Sequence, residues 1–218
     1  MFSCKVINIE TKENIMHIKF EKPLNFSYKP GQFIMASIKN NEEVIKRAFS
    51  LSSSPSEENL MITIKINNQG FFTPYIFNNL KINDEMIIEG PYGKMIYDEE
   101  KNISLIAAGT GIAPMRSIFK YIYDNDLKKD VDIYYVTKTE EDILFKKDLE
   151  NLKNKNNFKL NIYLSKEENK LFNNGRINLN NILLNKEKYF ICGPKDFVIE
   201  TSKFLKEKNI KDIKIEAW

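Results

Sequence analysis

Two short segments of the 218-residue chain carry residue types whose spacing suits phosphate and ring binding. In Gly109-Thr110-Gly111-Ile112-Ala113-Pro114 the glycines let a ligand approach the backbone, and the chain enters a helix at Pro114, where a missing N–H costs nothing. A helix that starts directly after a strand attracts a diphosphate through its free N–H groups and its dipole. A tight strand-to-helix turn with no ligand would use the same residues, so this segment alone is weak evidence. Arg47-Ala48-Phe49-Ser50 reads as strand, with Arg47 and Phe49 on one face and Ser50 on the other. The guanidinium can hold a phosphate by two parallel bonds, the phenyl can lie against a ring, and the hydroxyl can hydrogen-bond a ring edge. An exposed Arg and a core Phe on an ordinary strand is the plainer alternative.

Other reactive residues are few. Cys4 and Cys192 lie far apart and form neither a disulfide framework nor a clustered metal signature. Cys192 ends the apolar run Tyr189-Phe190-Ile191-Cys192 with no histidine nearby to act as a base. It reads as a small buried side chain with a packing and positioning role, not as a nucleophile. His17, the only histidine, sits in an alternating strand without a partner motif; it reads as structural or exposed, and no metal site is expected.

These residues need elements to hold them. Up to about residue 97 the chain reads as short alternating strands: 2–9, 15–20, 32–38, 47–51, 60–66 and 86–89. Turns at Lys29-Pro30-Gly31 and Asn67-Asn68-Gln69-Gly70 separate them, and a helical patch covers 72–80. After Asp98-Glu99-Glu100-Lys101 the rhythm becomes strand and helix in alternation. Strands are expected at 103–108, 131–136, 158–164, 189–192 and 213–217, and helices from Pro114 to Tyr123, Asp142 to Leu152 and Lys195 to Glu207. The fold class is therefore β plus α/β: an antiparallel β-barrel over residues 1–97, then a doubly wound parallel sheet over residues 98–218. The charged boundary, with no Gly/Ser linker, implies that the two domains pack closely.

Composition excludes several classes. With 42% hydrophobic and 29% charged residues the chain is an ordinary globular protein, and its net charge of +3 is spread along the length. Nucleic acid is a poor partner for it. No signal-peptide core or membrane-length apolar run occurs, so a soluble cytoplasmic protein is expected.

Read together, the segments carry a family resemblance. Pro30-Gly31-Gln32-Phe33, Arg47-Ala48-Phe49-Ser50, Gly70-Phe71-Phe72-Thr73, Gly90-Pro91-Tyr92-Gly93, the Gly109–Pro114 run, Cys192-Gly193-Pro194 and Glu216-Ala217-Trp218 occur in the order seen in ferredoxin-NADP reductase-like proteins. The chain resembles that family over its whole length, and Gly109 to Ser117 is similar to the plant-type branch. The resemblance implies FAD bound by Arg47, Ala48, Phe49 and Ser50, by the strand at Ile64 and Lys65, and by the turn Gly70, Phe71, Phe72 and Thr73. It implies NADPH or NADH on Gly109, Thr110, Gly111, Ile112, Ala113 and Pro114, with Cys192, Gly193 and Pro194 beside the nicotinamide. Ser50, Cys192 and Glu216 are the implied catalytic residues, and Trp218, where plant-type members more often end in Tyr, is expected to stack on the flavin.

Ser165 and Lys166 occupy the region where NADP-using relatives carry a Ser-Arg pair, which leans the expectation slightly toward NADPH. The expected activity is hydride exchange between NAD(P)H and FAD, with single electrons passing to a small carrier protein such as ferredoxin or flavodoxin. An electron-transfer subunit of a multi-component oxygenase or dehydrogenase, a free-flavin reductase, and a catalytically silent binding module of the same fold are the alternatives. Without a Cys cluster near its end the chain does not read as a dihydroorotate dehydrogenase subunit, and Gly70 to Thr73 favours tightly bound FAD over free flavin.

Overall fold

The structure is a computed structural model that describes residues 1–40, 43–99 and 102–217. Glu100, Lys101 and Trp218 therefore lie outside the described residues, and with them part of the charged boundary and the aromatic terminus discussed above.

Period-two burial builds the first sheet. In β2 (Ile15–Phe20), Met16, Ile18 and Phe20 are buried while Ile15, His17 and Lys19 face the other way, half-buried. With β1 (Phe2–Lys12), β3 (Phe33–Asn40), β4 (Glu43–Ser50), β5 (Leu60–Lys65) and β6 (Glu85–Tyr92) it forms an antiparallel sheet in the order β4-β3-β6-β1-β2-β5. The sheet curls so that its two edge strands approach, yet among the described residues they are tied by one bridge, Leu51 to Ile62. The expected barrel is thus an open-seamed one. Its inside is filled by residues such as Phe20, Ile34, Leu60 and Ile88, each of which stabilises the fold by about 1.5–3 kcal/mol on leaving water. Helix α1 (Phe72–Asn79) closes one end by burying Phe72 and Ile76, four residues apart on one face.

The second sheet is parallel. It contains β7 (Asn102–Ala108), β8 (Asp130–Thr137), β9 (Phe158–Leu164), the two-residue β10 (Asn173–Asn174), β11 (Lys188–Gly193) and β12 (Ile213–Ala217), in the order β10-β9-β8-β7-β11-β12. Helices α2 (Ile112–Asp124), α3 (Lys146–Leu152) and α4 (Lys195–Glu207) cover it. From β7 the chain winds outward through β8 and β9, then returns to place β11 on the other side of β7. That reversal opens a crevice at the carboxyl ends of β7 and β11, the usual ligand position in such sheets.

Several bounds differ from the sequence expectation: β1, β4 and β6 run longer than expected, to Lys12, from Glu43 and to Tyr92. Helix α2 begins at Ile112, two residues before Pro114, and the proline still falls in the first turn, where amide N–H groups have no helical partner. Helix α3 begins at Lys146, not Asp142. The Asp142 carboxylate is bound instead by Thr139, through its N–H at 3.2 Å and its hydroxyl at 2.9 Å, which holds 139–142 as a turn. Strand β10 was not anticipated, because two residues show no period.

Candidate active site

At the end of β7, Gly109–Gly111 form one 3-10 turn that leads into α2. A β-carbon on Gly111 would lie 2.2 Å from the Cys192 carbonyl oxygen, so only glycine lets the turn seat against the end of β11. Gly109, by contrast, has φ +55° and open space where its side chain would be. The start of α2 has no side-chain cap. A packed turn on one side, an open concavity on the other and uncapped amides between them fit a dinucleotide diphosphate.

The neighbouring strands bring three of the expected residues together. Cys192 on β11 pairs in register with Glu216 on β12 and with Ala107 on β7. Ser50, at the end of β4 in the first sheet, donates its hydroxyl to Glu216 Oε1 at 3.0 Å. This hydrogen bond spans the two sheets and joins residues 166 positions apart. Burial raises the Glu216 pKa above the ordinary carboxyl value, and the Ser50 bond only partly opposes it. Burial also pushes the Cys192 thiol well above its ordinary value, Glu216 adds to the shift, and the Gly193 N–H works against it. A buried thiol held above its ordinary pKa is poor in thiolate, the form a nucleophile needs.

The rest of the expected flavin-side residues lie on β4, β5 and the turn into α1. Arg47 is exposed on edge strand β4, its Nη1 donating to the Lys46 carbonyl at 2.8 Å. Ala48 is exposed, and Phe49 is half-buried against Phe72, with ring centroids 5.5 Å apart. Phe72 is itself a core residue, so its side chain faces inward and only its backbone is available to a ligand. Phe71 is 45% exposed and stacks on Tyr75. The Thr73 hydroxyl accepts the Asn67 N–H at 2.8 Å, closing the turn that carries Gly70, and α1 starts without a side-chain cap. Ile64 is buried, whereas Lys65 is exposed. An accessible Arg on the strand whose Phe49 packs on the first residue of an uncapped helix fits the diphosphate of a flavin nucleotide.

A cavity of about 670 Å³ lies between the sheets. Gly109, Thr110, Ser165 and Pro194 line it from the second sheet, Ile15, His17 and Lys65 from the first. Its wall also includes residues 141–145, of which 142–145 were expected as the start of a helix. Ser50, Cys192 and Glu216 do not line it; Pro194, two residues after Cys192, and Ala108, next to the Ala107 that pairs with Cys192, do. Ser165 donates its hydroxyl to the Thr137 carbonyl at 3.0 Å, and Lys166 is exposed on the rim of a shallow groove with Glu167 and Glu168. Ile15, His17 and the 141–145 wall escaped the sequence reading. They reach the cavity only through the pairing of β2 with β5 and the packing of the two domains, neither of which leaves a local signal. Among the described residues no cluster of His, Cys, Asp or Glu could hold a metal ion.

An antiparallel curled sheet bearing Arg47 and Ser50, followed by a parallel sheet with a glycine turn at its switch point, defines a two-domain flavin and nicotinamide-nucleotide oxidoreductase. Residues 4–97 match the oxidoreductase FAD-binding domain and residues 105–203 the oxidoreductase NAD-binding domain. The chain belongs to the ferredoxin-NADP reductase-like family, whose cofactors are FAD and NAD(P). It is 34% identical to the gamma subunit of sulfhydrogenase 2 of Pyrococcus furiosus over 151 residues, which is 66% of this chain and 50% of that one. It is 27% identical to a flavodoxin/ferredoxin–NADP reductase of Buchnera aphidicola over 229 residues, 96% of this chain and 92% of that one. A ferredoxin NADP+ reductase from Neisseria gonorrhoeae with bound FAD and NADP shares the fold with a TM-score of 0.86 at 17% identity, over 99% of this chain and 98% of that one. The chain spans half or less of the length of several curated relatives it matches. No helix among the described residues is long and apolar enough to cross a membrane.

Proposed function

We propose that this oxidoreductase exchanges electrons between NAD(P)H and a small carrier protein of the ferredoxin or flavodoxin kind, with residues 1–97 holding FAD and residues 98–218 the nucleotide. The observation that carries this reading is the Ser50–Glu216 hydrogen bond at 3.0 Å, with Cys192 in register beside Glu216. Those three are the proposed catalytic residues, set where the two cofactor-binding domains meet. When bound, FAD supplies the hydride-accepting and single-electron chemistry. The chain supplies alignment: the Gly109–Pro114 turn seats a diphosphate, Ser165 and Lys166 take the ribose end with a lean toward its phosphorylated form, and the Cys192 thiol packs beside the reacting ring. Glu216 Oε1 accepts from Ser50, and its raised pKa favours holding a proton at the site as charge develops. Arg47 and the start of α1 hold the FAD diphosphate, with Trp218 as the proposed cover of the flavin.

A second reading, an electron-transfer subunit of a larger enzyme, is favoured by the 34% identity to the sulfhydrogenase gamma subunit. Anaerobic bleaching of the FAD-loaded chain by NADPH and by NADH, followed by reoxidation with ferredoxin, flavodoxin or free flavin, tests these readings. The carrier reading expects faster bleaching by NADPH and reoxidation by a carrier protein. Bleaching followed by reoxidation with none of the three favours the subunit reading. A colourless chain that takes up no FAD contradicts both and leaves the silent binding module.

A further inference from the structure

Arg116 lies in α2, five residues after Gly111, and it is 5% exposed. Its Nε donates to Asp148 Oδ2 at 2.6 Å in α3 of the same domain. Its other bonds cross to the first domain: Nη1 donates to the Ser52 carbonyl at 2.6 Å and to Glu57 Oε2 at 2.8 Å, and Nη2 donates to Glu57 Oε1 at 3.1 Å. The guanidinium also lies 5.2 Å from the centre of the Phe145 ring. That ring in turn meets His17 of the first sheet at 5.1 Å. From His17 the contacts run on through Nδ1 to Thr63 Oγ1 at 2.9 Å, and the Thr63 hydroxyl donates to Ser52 Oγ at 3.1 Å. Ser52, Arg116, Phe145, His17 and Thr63 thereby close a ring of contacts that crosses the domain interface twice.

We propose that Arg116 is a positioning residue that sets the distance between the nucleotide turn and the strand end carrying Ser50, with Phe145 and His17 completing the latch. The proposal rests on the cleft being the hydride-transfer site. A buried guanidinium loses its hydration, and only well-aligned partners offset that loss, so a buried charge specifies geometry more than it adds stability. The two parallel bonds to Glu57 fix an angle as well as a distance. Burial works against both charges, yet mutual attraction wins: Glu57 is held below its ordinary pKa and Arg116 is raised.

Phe145 adopts φ +56°, a left-handed conformation that a β-carbon disfavours, and it does so where its ring sits between Arg116 and His17. On the other side of the latch, Ser52 lies two residues after Ser50, so a slip at Arg116 is transmitted to the Ser50–Glu216 contact. Phe145 and His17 also line the cavity, so the latch shapes the nucleotide wall. Hydride transfer tolerates little misalignment, and an error of about 1 Å can cost on the order of 100-fold in rate. Rate, more than affinity, is what this latch controls.

The test compares wild type with Arg116→Lys, which keeps a positive charge but loses the fork that serves three partners at once. Spin labels at Leu24→Cys and Lys203→Cys, both exposed sites on opposite domains, report the interdomain distance in the FAD-free chain, because Cys4 and Cys192 are buried and escape labelling. The expected result is a broadened distance distribution in Arg116→Lys. In the FAD-loaded chain, flavin reduction should slow by about tenfold or more while nucleotide affinity changes by less than about threefold. An unchanged distribution, or a slower reduction fully explained by weaker nucleotide binding, overturns the proposal. Should Arg116→Lys fail to fold, Glu57→Gln is read by the same two measurements with the same criteria. If wild type takes up no FAD or is bleached by neither nucleotide, the proposed function fails, while the distance measurement on FAD-free protein still decides the role of Arg116.

Discussion

The starts of α1 and α2 look alike in sequence and differ in packing. Both follow a glycine-containing turn, and neither α1 nor α2 has a side-chain cap. A β-carbon at Gly111 would collide with the Cys192 carbonyl at 2.2 Å, whereas one at Gly70 would meet nothing closer than the Asn67 carbonyl at 3.7 Å. The turn before α2 is locked into the sheet; the turn before α1 is held by its own hydrogen bonds, the Asn67 N–H donating to the Thr73 hydroxyl and Asn67 Oδ1 accepting from the Gln69 N–H. A glycine in a ligand-binding motif can thus be required by the protein's own packing or merely be compatible with the ligand.

Substitution separates these two cases. Gly111→Ala should produce the largest effect, a loss of roughly 3 kcal/mol of stability from forced backbone displacement, together with weakened nucleotide binding. Chemical denaturation and nucleotide titration would check both, and wild-type values in both would dissolve the contrast.

Protonation gives a smaller difference between the interface regions. The Glu57 pKa lies below its ordinary value because Arg116 overrides burial, and the His17 pKa is lowered by burial first and by Arg116. Each contributes stability that is present above its unfolded pKa and is lost as pH falls through the folded one. Glu216, with a raised pKa, has the opposite sign: its contribution is present below the unfolded pKa and is lost as pH rises through the folded value. Denaturation from pH 7 down to below the ordinary carboxyl range should therefore show an acid-induced loss that is weaker in Glu57→Gln, and Glu216→Gln should make the acid-induced loss steeper. Parallel pH curves for the two variants would contradict the assignment.

Gly70→Ala should do least. With no positive φ and no close neighbour, the substitution is expected to leave FAD content unchanged and to shift stability by under about 1 kcal/mol through the unfolded chain. Loss of FAD in this variant would show that the α1 turn is as tightly specified as the α2 turn.

The same contrast explains what could be read from sequence. Strands such as β2 and β7 declare themselves by alternation or by an unbroken apolar run, and β9, α4 and β12 fall at their expected bounds. Ser50, Cys192 and Glu216 could be named because each sits in a short motif, but their meeting depends on the domain interface. The start of α3 falls later than its sequence suggests because Asp142, a helix-start residue type, turns back to Thr139 and Phe145 goes left-handed against His17. Arg116 lay in plain view inside the Gly109–Ser117 run. Nothing local distinguishes a guanidinium buried between two domains from one in solvent.

The most direct measurement of the central claim is the anaerobic rate of flavin bleaching by NADPH in Ser50→Ala, taken with its FAD content. Because the Ser50 hydroxyl donates to Glu216 across the two domains, the account predicts a rate lower by about tenfold or more with FAD still bound. A wild-type rate in a fully loaded variant would contradict it.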